Sequence, residues 1–101
     1  MKTAITAENA SLDAQIDPRF GRCSHFAIYD SETKKTEFFA NPAKAASEGA
    51  GPTAVQFVAA KGVKTIIAGE FGGKIKSLLD SLHIEMKNEN GKTIADIIKQ
   101  L

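Results

Sequence analysis

The sequence predicts an α/β fold, a three-layer sandwich around a mixed five-stranded sheet, with elements in the order βββαβαβα and a strand order of 3-2-1-4-5. Three observations predict it. Ile75, Leu78, Leu79 and Leu82, and again Ile94, Ile97, Ile98 and Leu101, recur at i, i+3, i+4 and i+7, the spacing of one helical face. Short runs rich in β-branched and aromatic residues, bounded by Asn, Gly and Pro, read as strands. The chain of 101 residues has room for one domain, residues 1–101, and little else.

The first strand is Lys2 to Ala7. A long connection follows, Glu8 to Ser24, of a length that is uncommon without regular structure and often functional. His25–Asp30 and Lys35–Ala40 flank the polar turn Ser31-Glu32-Thr33-Lys34 and read as a hairpin, which Asn41-Pro42 ends. Ala43 to Ala50 fits a loop or a frayed helix equally well. Gly51-Pro52-Thr53 marks a helix start with Pro at the first helical position, and Ala54, Val55, Val58 and Ala59 give that helix its apolar stripe. Gly62 stops it. Val63 to Ala68 is a buried strand, and Gly69-Glu70-Phe71-Gly72-Gly73 leads to the second helix. Ile84 to Lys87 alternates like an edge strand. Asn90-Gly91 turns the chain, and Thr93 with Asp96 resembles a capping box before the last helix.

In this order the second strand runs antiparallel, and each later helix carries a right-handed crossover to a parallel strand. The Glu8–Ser24 loop, the Asn41–Gly51 connection and the Gly69–Gly73 turn then leave the sheet at one edge. Ligands of open α/β sheets bind outside the carboxyl ends of the parallel strands. Helix N-termini add free N–H groups and partial positive charge, so the expected ligand is anionic.

Composition narrows the partners. The formal charge is +1, with 13 Lys+Arg against 12 Asp+Glu, which gives neither a nucleic-acid footprint nor a basic membrane-binding face. No apolar run approaches a membrane span, and Glu8 and Asn9 interrupt the N-terminus too early for a signal peptide. A single Cys excludes an intramolecular disulfide, so a cytoplasmic location is expected. It also excludes a four-cysteine metal site within one chain.

Asp17-Pro18-Arg19-Phe20-Gly21-Arg22-Cys23-Ser24-His25-Phe26 is the densest cluster of cationic and reactive side chains. If the backbone is extended there, Cys23 and His25 face the same way and present a thiolate and an imidazole to a soft or borderline metal. Arg19 and Arg22 would hold an anion and lower the Cys23 pKa. The bland alternative is a packed Cys23 and a half-exposed strand His25. Gly69-x-x-Gly72-Gly73 lacks the Gly-Lys-Ser/Thr ending of a P-loop and reads as a tight turn. His83 fits a helix end, Met1 and Met86 fit packing, and one ring of Phe38-Phe39 is core. Tyr29 lies on the sheet with its hydroxyl wet. No enzyme is expected. Carboxylates are not gathered for two-metal hydrolysis, and nothing orients Cys23 and His25 as a nucleophile and base.

The Asp17–Phe26 segment followed by Ile28-Tyr29-Asp30 resembles the dinitrogenase iron–molybdenum cofactor biosynthesis family. Asn41, Gly49-Ala50-Gly51, Lys61-Gly62-Val63 and Ala68-Gly69-Glu70-Phe71-Gly72-Gly73 carry the likeness along the whole chain. The resemblance implies a ribonuclease-H-like fold and the binding or carrying of metal–sulfur clusters, notably nitrogenase cofactor precursors. It also brings in a related protein that holds a mixed molybdenum–copper sulfide. The nitrogenase-dedicated carriers usually show His-Phe-Gly in this loop, where this chain has Arg19, a side chain that stays protonated and does not ligate metals. The leading expectation is therefore a cluster carrier in which Arg19, Phe20, Gly21 and Arg22 form the binding loop. Cys23 and His25 would ligate, and amides at Gly51, Thr53, Gly72 and Gly73 would complete the cradle. A donor or acceptor assembly protein would be its partner. A regulatory or adaptor domain without cluster chemistry is the alternative, and a Cys23-based redox or transfer enzyme is a third.

Overall fold

The computed structural model describes residues 1–46 and 48–101. The elements are β1 (Lys2–Ala7), β2 (His25–Asp30), β3 (Lys35–Ala40), α1 (Ala50–Ala60), β4 (Val63–Ala68), α2 (Ile75–Ser81), β5 (Glu85–Asn88) and α3 (Ile94–Lys99). The five strands order as β3-β2-β1-β4-β5. β2 is antiparallel to both its neighbours, whereas β4 pairs parallel with β1 and β5 parallel with β4. This is the predicted sandwich.

Side chains alternate between two cores, as they must when both faces of a sheet are covered. Ala4, Phe26, Ile28, Ile66 and Ala68 meet Val55 and Val58 of α1 and Ile75 and Leu79 of α2 on one face. Ile5, Ala7, Ala27 and Ile67 meet Ile94 and Ile97 of α3 on the other. Residues 8–24 close both layers: Ala14 and Ile16 enter the α3 core, and Phe20 enters the α1 core. Three backbone bonds fix that loop to the start of α3: Ile16 N to Lys92 O (2.9 Å), Ile94 N to Ala14 O (2.9 Å) and Ala95 N to Leu12 O (2.9 Å). The first amides of α3 are thus satisfied internally.

Boundaries differ from expectation where backbone conformation decides them. α1 begins at Ala50 because Gly49 takes a left-handed N-cap conformation (φ 73°), which places Pro52 third in the helix rather than first. Pro52 is tolerated there because first-turn amides have no helical partner. α2 and α3 stop before Leu82 and Leu101, both of which are exposed. α2 closes in a Schellman motif, with Ile84 N bonded to Leu79 O and His83 N to Asp80 O. Its left-handed position is His83 (φ 58°), not a glycine. At α3, Thr93 caps as expected, accepting from Asp96 N at 3.2 Å. Among the described residues, no helix is long and apolar enough to cross a membrane.

Candidate functional site: the loop edge at the strand carboxyl ends

The three predicted segments do meet. Asp17 anchors the loop to the end of β1: its N–H donates to Thr6 O (2.9 Å), and Thr6 Oγ1 donates to its carbonyl (2.7 Å). From there residues 18–20 pair with the turn after β4. Glu70 N donates to Pro18 O (2.6 Å) and Phe20 N to Glu70 O (3.2 Å), a short parallel bridge centred on Arg19 and Glu70. Gly69 makes this approach possible, since a Cβ there would lie 2.5 Å from Pro18 Cα. Gly21 then packs on the first turn of α1, where a Cβ would stand 3.1 Å from Gly51 N. Gly51 in turn faces Ile75, which also lies against Gly72. Arg19, Arg22, Gly51 and Gly72 therefore share one edge of the sheet.

Phe20 plays a different part from the one expected. It is buried, with its ring 5.5 Å from Phe71 and 5.9 Å from Phe26, so it pins the loop to the core and touches no ligand space. Arg19 is exposed, with Nε 3.5 Å from Asp17 Oδ1, while its N–H donates to the same carboxylate oxygen (2.9 Å). Arg22 is half-buried and committed to structure. Its guanidinium donates to Lys44 O (3.3 Å) and to Ala46 O, tying the 41–46 segment to the loop. Thr53 N donates to Gly49 O (3.1 Å), the first bond of the α1 ladder, and Pro52 has no N–H. Among the described residues the amides of Ala50 and Gly51 have no partner in that ladder, and the expected cradle loses its Thr53 amide. Gly72 and Gly73 are exposed beside it, ahead of the seven-residue α2.

Cys23 and His25 do not converge. The chain turns at residues 21–24 instead of extending, so the two-residue spacing does not put them on one face. Cys23 is fully buried among Phe20, Phe26 and Ala4 in the α1 core. His25 shares its strand parity with Ala27, on the α3 side, and its Nδ1 lies 2.8 Å from Ser24 Oγ. Burial pushes the Cys23 thiol up to about 12, and the Asp17 carboxylate pushes it the same way. Such a thiol is a packing group, not a poised thiolate. Among the described residues, no three His, Cys, Asp or Glu side chains are grouped to hold a metal ion. The donor set suits an anion held by charge and amides rather than a cation held by ligands.

The chain is similar over nearly its whole length to proteins of known sequence and structure. A family model described as dinitrogenase iron-molybdenum cofactor matches residues 1–101. The chain belongs to that family. An uncharacterised protein of Methanocaldococcus jannaschii is 33% identical over 102 residues, covering 98% of this chain and 83% of the relative. The apo form of the orange protein from Desulfovibrio gigas superposes with a TM-score of 0.91 at 32% identity, over 98% of this chain and 84% of that one. A NifB-like protein from Thermotoga superposes with a TM-score of 0.85 at 30% identity, over 97% of this chain and 84% of the other.

In this member of the dinitrogenase iron-molybdenum cofactor family, the residue that organises the edge is Asn41. Its Nδ2 donates to Gly21 O (3.1 Å) and Cys23 O (3.0 Å), and its Oδ1 accepts from Ala43 N (2.9 Å). In the sequence Asn41 reads as a strand terminator and as part of the family likeness, but not as the organiser of this edge, because its partners lie in a different loop. Asp17 opens the segment that the sequence singles out, but its own part shows only in the structure, where it is buried and sets both the loop anchor and the charge beside Cys23.

Proposed function

We propose that this chain binds an anionic metal–sulfur cluster, or a metal oxyanion, at the loop edge and passes it to a partner protein, acting as a carrier rather than an enzyme. The observation that carries the proposal is the contact of Gly21 with the α1 N-terminus at Gly51, which sets the exposed Arg19 loop beside the first turn of α1. Charge-assisted bonds from Arg19 and the positive end of the eleven-residue α1 suit a multiply charged anion. Membership of the dinitrogenase iron-molybdenum cofactor family and the likeness to the orange and NifB-like proteins support a metal-containing cargo. Arg22 serves by holding the 41–46 segment in place, and Cys23 by packing. A thiolate ligand would have to leave the core and surrender a tightly held proton. A rim without protein ligands favours release, as hand-over requires.

The test is anaerobic purification with elemental analysis and a visible absorption spectrum, followed by titration of the apo chain with tetrathiomolybdate. Saturable uptake is expected, weakened about tenfold by Arg19→Ala and by added salt, and unchanged by Cys23→Ser. Equal uptake by wild type and Arg19→Ala would remove the rim from the mechanism. No uptake by either would leave the adaptor reading as the better one.

A further inference from the structure

The turn between β5 and α3 is Asn90-Gly91, and both residues are exposed. Gly91 takes a left-handed conformation (φ 67°), which a glycine adopts at little cost. Its N–H donates no hydrogen bond among the described residues, whereas the turn is held on both sides of it. Glu89 N donates to Ala68 O (3.1 Å), and Lys92 O accepts from Ile16 N (2.9 Å). An amide nitrogen that is unbonded and has no side chain beside it can attack the carboxamide carbon of the asparagine before it. The other three asparagines lack that neighbour. Asn41 precedes Pro42, which has no N–H, and its side chain is bonded to Gly21 and Cys23. Asn88 precedes Glu89, whose N–H is engaged, and its Nδ2 donates to Gly69 O (3.1 Å). Asn9 precedes Ala10, whose methyl group hinders the approach.

The place of Asn90 in the fold gives this chemistry a consequence. A methyl group on Gly69 would stand 2.5 Å from Pro18 Cα and 2.7 Å from Asn90 Oδ1, so the Asn90 carboxamide and the backbone leading to Arg19 flank one glycine. Asn90 therefore lies at the loop edge. Its carboxamide is neutral, and Lys92 in the same turn is already paired with Glu89 at 3.2 Å. A carboxylate at residue 90 would add negative charge at an edge where an anion is to be held by charge.

We propose that Asn90 is a self-modification site: the turn deamidates, and the new carboxylate lowers the affinity of the loop edge for its anion. Gly91 N bonds to Asn90 Cγ, the Cγ–Nδ2 bond breaks, and ammonia leaves with the amide proton, giving a succinimide ring. Water then opens the ring at either carbonyl. The product is aspartate or, with the backbone rerouted through Cγ, isoaspartate. No oxidant or reductant takes part. The modification stands on the turn alone, and its effect on cargo rests on the reading of the loop edge proposed above. Aged copies of the chain then hold cargo less well than new ones.

The experiment ages the full chain for weeks in warm, mildly alkaline buffer and follows it by intact mass, peptide mapping and isoaspartate detection. A gain of one dalton is expected at Asn90, with isoaspartate in excess of aspartate and no gain at Asn9 or Asn88 over the same period. Asn90→Gln, which would have to form a larger ring, and Gly91→Ala, which crowds the attacking nitrogen, should each slow the reaction about tenfold. Asn90→Asp installs the charge directly. It should bind tetrathiomolybdate about fivefold more weakly than wild type at low salt and equally at high salt. The site is overturned if native Asn90 stays intact through the period in which the guanidinium-unfolded chain deamidates there. The effect on cargo is overturned if Asn90→Asp titrates like wild type. Failure of wild type itself to take up tetrathiomolybdate would remove the loop-edge reading and the cargo effect together, with the mass at Asn90 still deciding the site.

Discussion

Gly21 and Gly51 meet backbone to backbone, so closely that a methyl group on Gly21 would stand 3.1 Å from the Gly51 nitrogen. The contact joins the long N-terminal loop to the start of α1, and a methyl group fits there only if the neighbouring backbone gives slightly. Three glycines at this edge sort by what a methyl group would strike. At Gly69 the obstacle is the Pro18 backbone at 2.5 Å, and Gly69→Ala should cost about 2–3 kcal/mol, the upper range for overpacking. Gly21→Ala meets backbone at a marginal distance and should cost about 1 kcal/mol. Gly51→Ala strikes only the tip of the Ile75 side chain and adds helix propensity, so it should fall within about 0.5 kcal/mol of wild type. Urea unfolding of the three variants checks the ranking.

Removing the Asn41 side chain strips the Gly21 and Cys23 carbonyls of their donor and the Ala43 amide of its acceptor. Asn41→Ala should destabilise the chain by about 2–3 kcal/mol, because buried backbone groups are left unpaired. Asn41→Asp should also destabilise, since a carboxylate cannot donate to two carbonyls. The same urea series measures both. In the anaerobic titration, both should lose cargo with Arg19 intact.

Cys23 predicts an alkaline signature. Its folded-state value of about 12 lies above the ordinary value near 9, so the native state holds the proton more tightly than the unfolded chain. Its contribution is therefore complete below about pH 9 and is lost as pH climbs from 9 towards 12, with a slope of at most about 1.4 kcal/mol per pH unit. In Cys23→Ala that part of the slope should vanish, although the variant is less stable at neutral pH through the lost packing. Comparing urea-derived stabilities at several pH values isolates the slope. Native-state alkylation by iodoacetamide should be slow and limited by opening of the core.

The left-handed positions at two helix ends predict opposite effects. His83 occupies the αL site of the α2 Schellman motif at φ 58°, and Gly62 holds φ 81° after α1. His83→Gly removes a steric cost of roughly 1–2 kcal/mol and adds backbone entropy to the unfolded state, for a net gain of about 0.5 kcal/mol. Gly62→Ala should cost about 1 kcal/mol or more. A Tm rise for the first and a fall for the second, by calorimetry, is the expected pair.

Local signals carried much of this fold. The i, i+3, i+4, i+7 stripes located α2 and α3, Thr93 marked its cap, and the β-branched runs marked all five strands, because periodicity and capping act between residues a few positions apart. Even the meeting of the loop with the Gly51 and Gly72 turns was legible, since strand direction alone decides which connections leave at the same edge. Individual side-chain roles were not. Cys23 and His25 were expected to face one way, and the turn at residues 21–24 separates them; Phe20 and Arg22 were expected to face a ligand, and they hold the core and the 41–46 segment.

By itself the sequence determined the order of elements, the family likeness and the edge on which the loops gather, because these follow from short-range pattern and chain direction. Only the tertiary structure decided which side chains at that edge are free. That depends on partners far along the chain, such as Asn41 for the Gly21 and Cys23 carbonyls and Glu70 for the Pro18–Phe20 backbone. It also decided that Thr3, Tyr29 and Thr65, spread over three strands, form one buried row across the sheet, a relation set by strand register.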